Sequence, residues 1–382
     1  MELRSSKNST VLVLLFLAIL LAVPVATVLS PDADRSASEK RSLAVAPRFG
    51  FDRKALTSFP SGFEHFFNDH FGFRGQMVYL NSLIKVGLLG TSSNEKVVVG
   101  KAGWFFLADE RAMAPEPFTS AQLKMWRISL EAKQAWLKAR GAEYVFMVAP
   151  EKHTIYPEYL PRSCPANSKP SNLDQLIEYL KHTSTVRVLD VRSPLRAAKV
   201  VAPVYYQTDT HWNLYGGAVA CQELLHRVSE YNPSVRQMDL NAAVLRNTTF
   251  KAGNLALMLL LQDVMADREV EPVLPTGTAT VLISGAQTPD GLLLTISENH
   301  VGQQPNVVVF HDSMFDSMNR YFVQHFGRAV MVGGRRILKF EQDIIERERP
   351  QVVVEEIVER YLTGQPFVPD EILNWYQLEG RK

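Results

Sequence analysis

Residues 11–29 form an apolar run broken only by Thr27, with Arg4 and Lys7 before it and Asp32 and Asp34 after it. A run of that length spans a hydrocarbon core, and the basic flank places the short N-terminus in the cytoplasm as an uncleaved anchor. Pro24 with Ala22 or Ala26 also resembles the processing region of a cleaved signal peptide, and both readings export the rest of the chain. Residues 31–48 are polar and rich in breakers, as a linker is. Residues 63–89 read as a helix, a break at Gly72 and a second helix, and 100–107 as a turn into a short buried strand.

Beyond residue 107 the pattern alternates. Apolar positions at three-to-four spacing predict helices over 120–138 and 172–182, and another from an Asn213 cap to Ser229. Short apolar runs predict strands at 144–148, 186–189, 204–206, 306–310, 329–332 and 352–355. Phe315, Met318, Phe322 and Phe326 predict a helix over 314–326. Gly216 and Gly217 in a helical first turn would let another backbone approach closely. Residues 261–300 hold apolar bursts separated by Gly and Pro, a β-rich excursion before the 306–310 strand. The repeated strand-helix alternation predicts a three-layer α/β fold around a mainly parallel sheet.

At 382 residues and 46% hydrophobic content, the exported part can bury one large core. A net charge of +1 argues against nucleic acid, which would draw a basic stripe. Cys164 and Cys221 allow either one disulfide or two inert thiols.

The chemistry concentrates in two short segments, Asp209-Thr210-His211-Trp212 and His311-Asp312-Ser313. A serine hydroxyl is a weak nucleophile until an imidazole takes its proton and a third group fixes the imidazole tautomer. Ser313 follows an apolar strand at a strand-to-helix turn, where a nucleophile is exposed, and His211 and Asp209 supply the base and its orienter. The Met314 backbone N–H and, beyond the 329–332 strand, those of Gly333 or Gly334 are candidate oxyanion donors. Lys152 and Tyr156, in the loop leaving the 144–148 strand, are expected to border a polar substrate cleft. A zinc site built from Asp209, His211 and His311 is the weaker alternative, because it lacks a further spaced cluster, and no metal or bound cofactor is expected. A noncatalytic glycan-binding or assembly protein is a third reading of the same residues.

The chain resembles the SGNH-hydrolase-like domain of the alginate O-acetyltransferase family over about residues 58–365. The resemblance rests on the order of Phe66-Phe67-Asn68-Asp69-His70-Phe71-Gly72-Phe73-Arg74, Gly100-Lys101-Ala102-Gly103-Trp104-Phe105-Phe106, Pro150-Glu151-Lys152, Tyr156-Pro157-Glu158, Asp209-Thr210-His211-Trp212, Gly253-Asn254-Leu255 and His311-Asp312-Ser313. It implies an anchor or signal at 1–30, a linker at 31–57, the catalytic domain at 58–365 with its β-rich insertion around 261–300, and a tail at 366–382. It also implies acetyl transfer through Ser313 to an exported polysaccharide on the periplasmic side of a bacterial inner membrane. The acetyl donor would come from another component, with a membrane-bound acyltransferase as partner; hydrolysis of acetylated carbohydrate is the alternative outcome. Two positions depart from the pattern: His311 stands where Gly is common before Asp-Ser, and Asn254 where Asp is common after Gly253.

Overall fold

The computed structural model describes residues 2–29, 35–36, 41–164, 169–275, 282–287, 293–299, 304–333 and 340–380. The chain divides into two compact units, one of residues 1–97 with 254–265 and the other of 98–253 with 266–382.

The first unit opens with the helix Glu2–Leu29, within which Ser9–Thr27 is long and apolar enough to cross a membrane. It continues with the helices Arg53–His70 and Arg74–Gly87, the pair expected around Gly72. Asp52 caps the first by accepting from the Ala55 N–H at 2.9 Å.

The second unit holds the catalytic segments. Besides the short strand Phe105–Leu107, its strands are β1 Glu143–Ala149, β2 Val188–Asp190, β3 Val244–Lys251, β4 Ala266–Val273, β5 Leu282–Gln287, β6 Leu293–Glu298, β7 Asn306–His311, β8 Arg328–Gly333 and β9 Val352–Val358. Seven form one sheet in the order β2-β1-β9-β7-β8-β6-β5. The run from β2 to β8 is parallel, and β6 and β5 add antiparallel at the edge. β3 and β4 pair separately as an antiparallel ribbon. The β-rich stretch of 261–300 therefore splits between that ribbon and the sheet edge. Residues 279–281, the start of one expected strand, lie outside the described residues.

The three-layer expectation holds, and the strand alternation shows why. Val307 and Val309 join one buried cluster with α3 (Leu214–Tyr231), while Val308 and Phe310 join another with Trp126, Leu130 and Trp136 of α1 (Ser120–Lys138). A strand apolar at successive positions is covered on both faces, and each such side chain contributes roughly 1.5–3 kcal/mol. Capping boxes start two helices: Thr119 with Gln122 at α1, and Ser171 with Asp174 at α2 (Asn172–Thr183). Residues 366–382, expected as a tail, contain the helix Asp370–Leu378, whose Ile372 is buried in the α1 layer.

Two expectations change. The 314–326 segment forms three short turns, Phe315–Ser317, Asn319–Phe322 and Val323–His325, instead of one helix. The Met314 carbonyl, which a continuous helix would offer to Met318, accepts from the Trp212 indole at 2.7 Å, and the Met318 N–H bonds Phe315 at 2.8 Å. The apolar spacing survives, since Phe315, Met318, Phe322 and Phe326 all stay buried. The 204–206 strand reduces to a single bridge, Tyr205 with Trp212. Around that bridge the Tyr206 N–H donates to the His211 carbonyl at 3.3 Å and the Val204 carbonyl accepts the Asn213 N–H at 3.1 Å, while side chains take the remaining groups: the Val204 N–H donates to the Tyr156 hydroxyl at 2.9 Å and the Tyr206 carbonyl accepts from Lys152 at 3.1 Å.

Candidate active site

Ser313 lies two residues beyond the end of β7, in the turn that leaves the carboxyl edge of the parallel sheet. Its Oγ is 2.8 Å from His211 Nε2, and His211 Nδ1 is 2.5 Å from Asp209 Oδ1. Asp209 Oδ1 also accepts the His211 backbone N–H at 3.0 Å, so one carboxylate oxygen fixes both ring and backbone. With the Nδ1 proton directed at Asp209, Nε2 carries the lone pair that faces the serine hydroxyl. The ring keeps some exposure while Asp209 is almost covered.

The loop carrying Asp209 is held from two sides. Lys152, only 3% exposed, donates from Nζ to the carbonyls of Tyr206 at 3.1 Å, Gln207 at 3.0 Å and Asp209 at 2.6 Å. The Asp267 carboxylate on β4 accepts the Gln207 N–H at 2.9 Å, the Thr208 N–H at 3.1 Å and the Thr208 hydroxyl at 2.6 Å. The lysine thus gathers the carbonyls of residues 206, 207 and 209, and the carboxylate gathers the amides of 207 and 208. Burial pulls the Lys152 ammonium down to about 7, while the negative charges of Asp209, Asp267 and Glu151 oppose that fall.

The serine turn is also pinned. Asp312 is buried, with Oδ1 accepting from the Met314 N–H and Oδ2 from the Val358 N–H, both at 2.7 Å. The Asp312 N–H donates to Glu356 Oε2 at 3.1 Å, and the other Glu356 oxygen finds no partner among the described residues. Burial raises the Glu356 carboxyl far above the usual range, with the Asp312 charge adding to the rise; burial raises Asp312 too. Burial thus shifts both carboxyls toward the protonated form, and the rise is the larger one at Glu356. From the other segment, Trp212 ties itself to the turn through its bond to the Met314 carbonyl. At α3, a Cβ on Gly217 would fall 2.4 Å from Ser317 Oγ, the close approach expected of the glycine pair.

Ser313, His211 and Asp209 are brought together, whereas the other expected site residues are employed differently. Lys152 is buried in the loop clamp instead of bordering a cleft. Tyr156 is buried against Trp104, ring centroids 4.3 Å apart, with its hydroxyl on Val204. The Met314 N–H is committed to Asp312, and Gly333 belongs to the β8 ladder opposite His311 and Leu293, so neither is placed as a free oxyanion donor. Gly334 lies outside the described residues. The Ser313 backbone N–H has no partner among the described residues. His311 turns Nδ1 to the Asp312 carbonyl at 2.7 Å and packs its ring over Gly333, where a Cβ would come within 2.9 Å of Cε1. A cleft of about 240 Å³ opens near Lys152 and Tyr156 without including them; Glu151, Thr154, Asp174, Arg192, Glu359 and Arg360 are among its walls. Cys164 and Cys221 are both free thiols.

Sequence reasoning missed Asp267, Asp312 as a staple, and Glu356. The sequence signal for the last was a carboxylate inside an otherwise apolar strand, Val352-Val353-Val354-Glu355-Glu356-Ile357-Val358.

Residues 97–302 match the model of the SGNH hydrolase-like domain of the acetyltransferase AlgX, more than half of the chain. The chain belongs to this family. Among curated relatives, the probable alginate O-acetylase AlgJ of Pseudomonas fluorescens is 25% identical over 292 residues, 73% of this chain and 71% of that protein. Its namesake in Pseudomonas putida is 28% identical over 287 residues, 70% of each. The solved O-acetyltransferase domain of Pseudomonas putida AlgJ superposes with a TM-score of 0.52 at 22% identity, covering 74% of this chain and 99% of that one. Bacillus cereus PatB1 superposes at 0.54 and 12% identity, covering 70% and 97%; these two likenesses establish the SGNH-like α/β fold.

Proposed function

We propose that this chain takes an acetyl group onto Ser313 and passes it to a hydroxyl of an exported polysaccharide, alginate or a glycan like it. The observation that carries the reading is the continuous relay from Asp209 through His211 to Ser313, at 2.5 and 2.8 Å, in a chain of an acetyltransferase family. The relatives named alginate O-acetylase support the polymer as acceptor.

In the first half-reaction Ser313 Oγ attacks the donor carbonyl as its proton moves to His211 Nε2. The donor's leaving atom departs with that proton, and an acetyl ester remains on Oγ. A sugar hydroxyl then enters, loses its proton to His211 and attacks the ester; the same proton returns to Oγ as the acetylated sugar leaves. Asp209 keeps the ring oriented and offsets the imidazolium formed in each half. The Ser313 backbone N–H is our candidate for one oxyanion donor, and loss of such a donor costs about 3 kcal/mol in comparable sites. The donor is supplied by another component, with a membrane-bound acyltransferase as partner. The N-terminal apolar helix acts as a signal-anchor that keeps the catalytic unit at the periplasmic face of the inner membrane.

The test combines mass analysis of Ser313 after exposure to an activated acetyl ester with acetyl analysis of surface glycan from cells lacking the chain. Acetyl on Ser313, its loss in Ser313→Ala, and underacetylated glycan are expected. Overacetylated glycan would instead identify an acetylesterase working through the same intermediate.

A further inference from the structure

The helices Arg53–His70 and Arg74–Gly87 are amphipathic, yet among the described residues no residue of the first is buried, and of the second only Ser82. Leu56, Phe59, Phe63 and Phe67 recur at helical spacing along one face, with Phe59, Phe63, Phe67 and Phe71 stacked in series at centroid separations of 6.0 to 6.2 Å. The second helix continues the pattern with Phe73, Met77, Leu80, Ile84 and Leu88. Phe63 is 50% exposed, Met77 50% and Leu80 57%. A soluble surface rarely leaves so long an apolar stripe facing water.

The corner between the helices indicates what covers them. The Gly72 N–H donates to Thr27 Oγ1 at 2.8 Å, and a Cβ on Gly72 would fall 2.4 Å from that of Ala26. Ala26 and Thr27 end the apolar stretch Ser9–Thr27. If that stretch spans a bilayer, the Phe71-Gly72-Phe73 corner lies where the hydrocarbon core ends and both helices start in the interface. Lipid is then already present at the corner. The polar sides, with Lys54, Ser61 and Asn68 on the first helix, are opposite the phenylalanines, as in helices that lie in the plane of a membrane surface.

We infer that this helix pair is a lipid-binding surface whose phenylalanine, leucine and methionine face inserts into the outer boundary of the same leaflet that the span leaves. The inference rests on the reading of Ser9–Thr27 as a membrane span.

Nitroxide labels on the full chain, reconstituted into phosphatidylethanolamine–phosphatidylglycerol vesicles, test it in a Cys164→Ser background; Cys221 is buried and stays unlabelled. Labels at Phe63→Cys, Met77→Cys and Leu80→Cys are expected to relax strongly with oxygen and weakly with a nickel chelate. Labels at Lys54→Cys and Ser61→Cys should show the reverse. A label at Leu14→Cys reports the span independently. If Leu14 is in lipid while both helix faces are open to nickel, the span stands and the inference falls. If Leu14 is itself in water, the anchor reading falls and takes the inference with it. Apolar-face labels shielded from both relaxants would identify a protein covering and overturn lipid binding.

Discussion

Asp209 spends one oxygen on both the ring and the backbone of His211, so its replacement by Asn should disturb the tautomer more than the fold. Asp209→Asn is expected to slow acyl transfer about 10⁴-fold with an unchanged melting temperature, read by stopped-flow acylation and calorimetry. Ser313→Ala should abolish the acyl-enzyme altogether. Lys152 tests the loop clamp: Lys152→Met would strand three carbonyls, costing about 3 kcal/mol of stability and about 10²-fold in kcat through displacement of Asp209. Because burial holds Lys152 near 7, below the unfolded lysine range, the folded chain binds fewer protons above that pH. This residue thus makes stability rise with pH from about 7 toward 10, and Lys152→Met should flatten that slope in melting curves. Glu356 acts in the opposite sense. Its raised folded pKa favours the fold at low pH and withdraws that support as pH climbs toward the folded value. Glu356→Gln should keep the Asp312 contact, preserve activity, and melt higher than the parent at alkaline pH. The triad was legible because its chemistry needs a fixed set of residue types. Lys152 and Tyr156 were misjudged because a loop at a strand's carboxyl end offers the same residues to a substrate or to the neighbouring loop, and only tertiary partners decide.

At the level of elements, helices with strong caps were read closely. Thr119 with Gln122 and Asn213 with the Gly216 N–H mark starts that the sequence announces locally. The errors lie where a backbone bonds side chains distant in sequence. The 204–206 strand shrank to one bridge because Tyr156 and Lys152 take the groups that residues 211–213 leave over, and the 314–326 helix broke because Trp212 takes the Met314 carbonyl. The β7–β8 pair shows a compensation of the same kind. His311, a bulky ring where Gly is common, lies over Gly333 of the adjacent strand. Gly333→Ala should therefore cost about 1–3 kcal/mol by overpacking. Adding His311→Gly should recover a measurable part of it, and a double-mutant cycle in urea reads the coupling. Additive losses would mean that the ring and the glycine are independent.

Over the whole second unit, the sheet is stitched from distant parts of the chain. The alternation of apolar segments disclosed the fold class, but not the strand order, because the order depends on pairings such as Glu143 with Val352 that leave no local trace. β9 fills the gap between β1 and β7, and it also supplies Glu355, whose carboxylate meets the Lys133 ammonium at 2.7 and 2.8 Å across the α1 layer. It follows every other strand of that sheet in sequence, so β1-β2 and β7-β8-β6-β5 each present an open edge until it pairs with them. The Val358 N–H is one of the two donors that fix Asp312 behind the nucleophile. Docking of β9 thus also completes the support behind Ser313: a chain cut ahead of β9 would keep Asp209, His211 and Ser313 but lose one of the two donors that fix Asp312, and its serine is expected to acylate more slowly than the parent's.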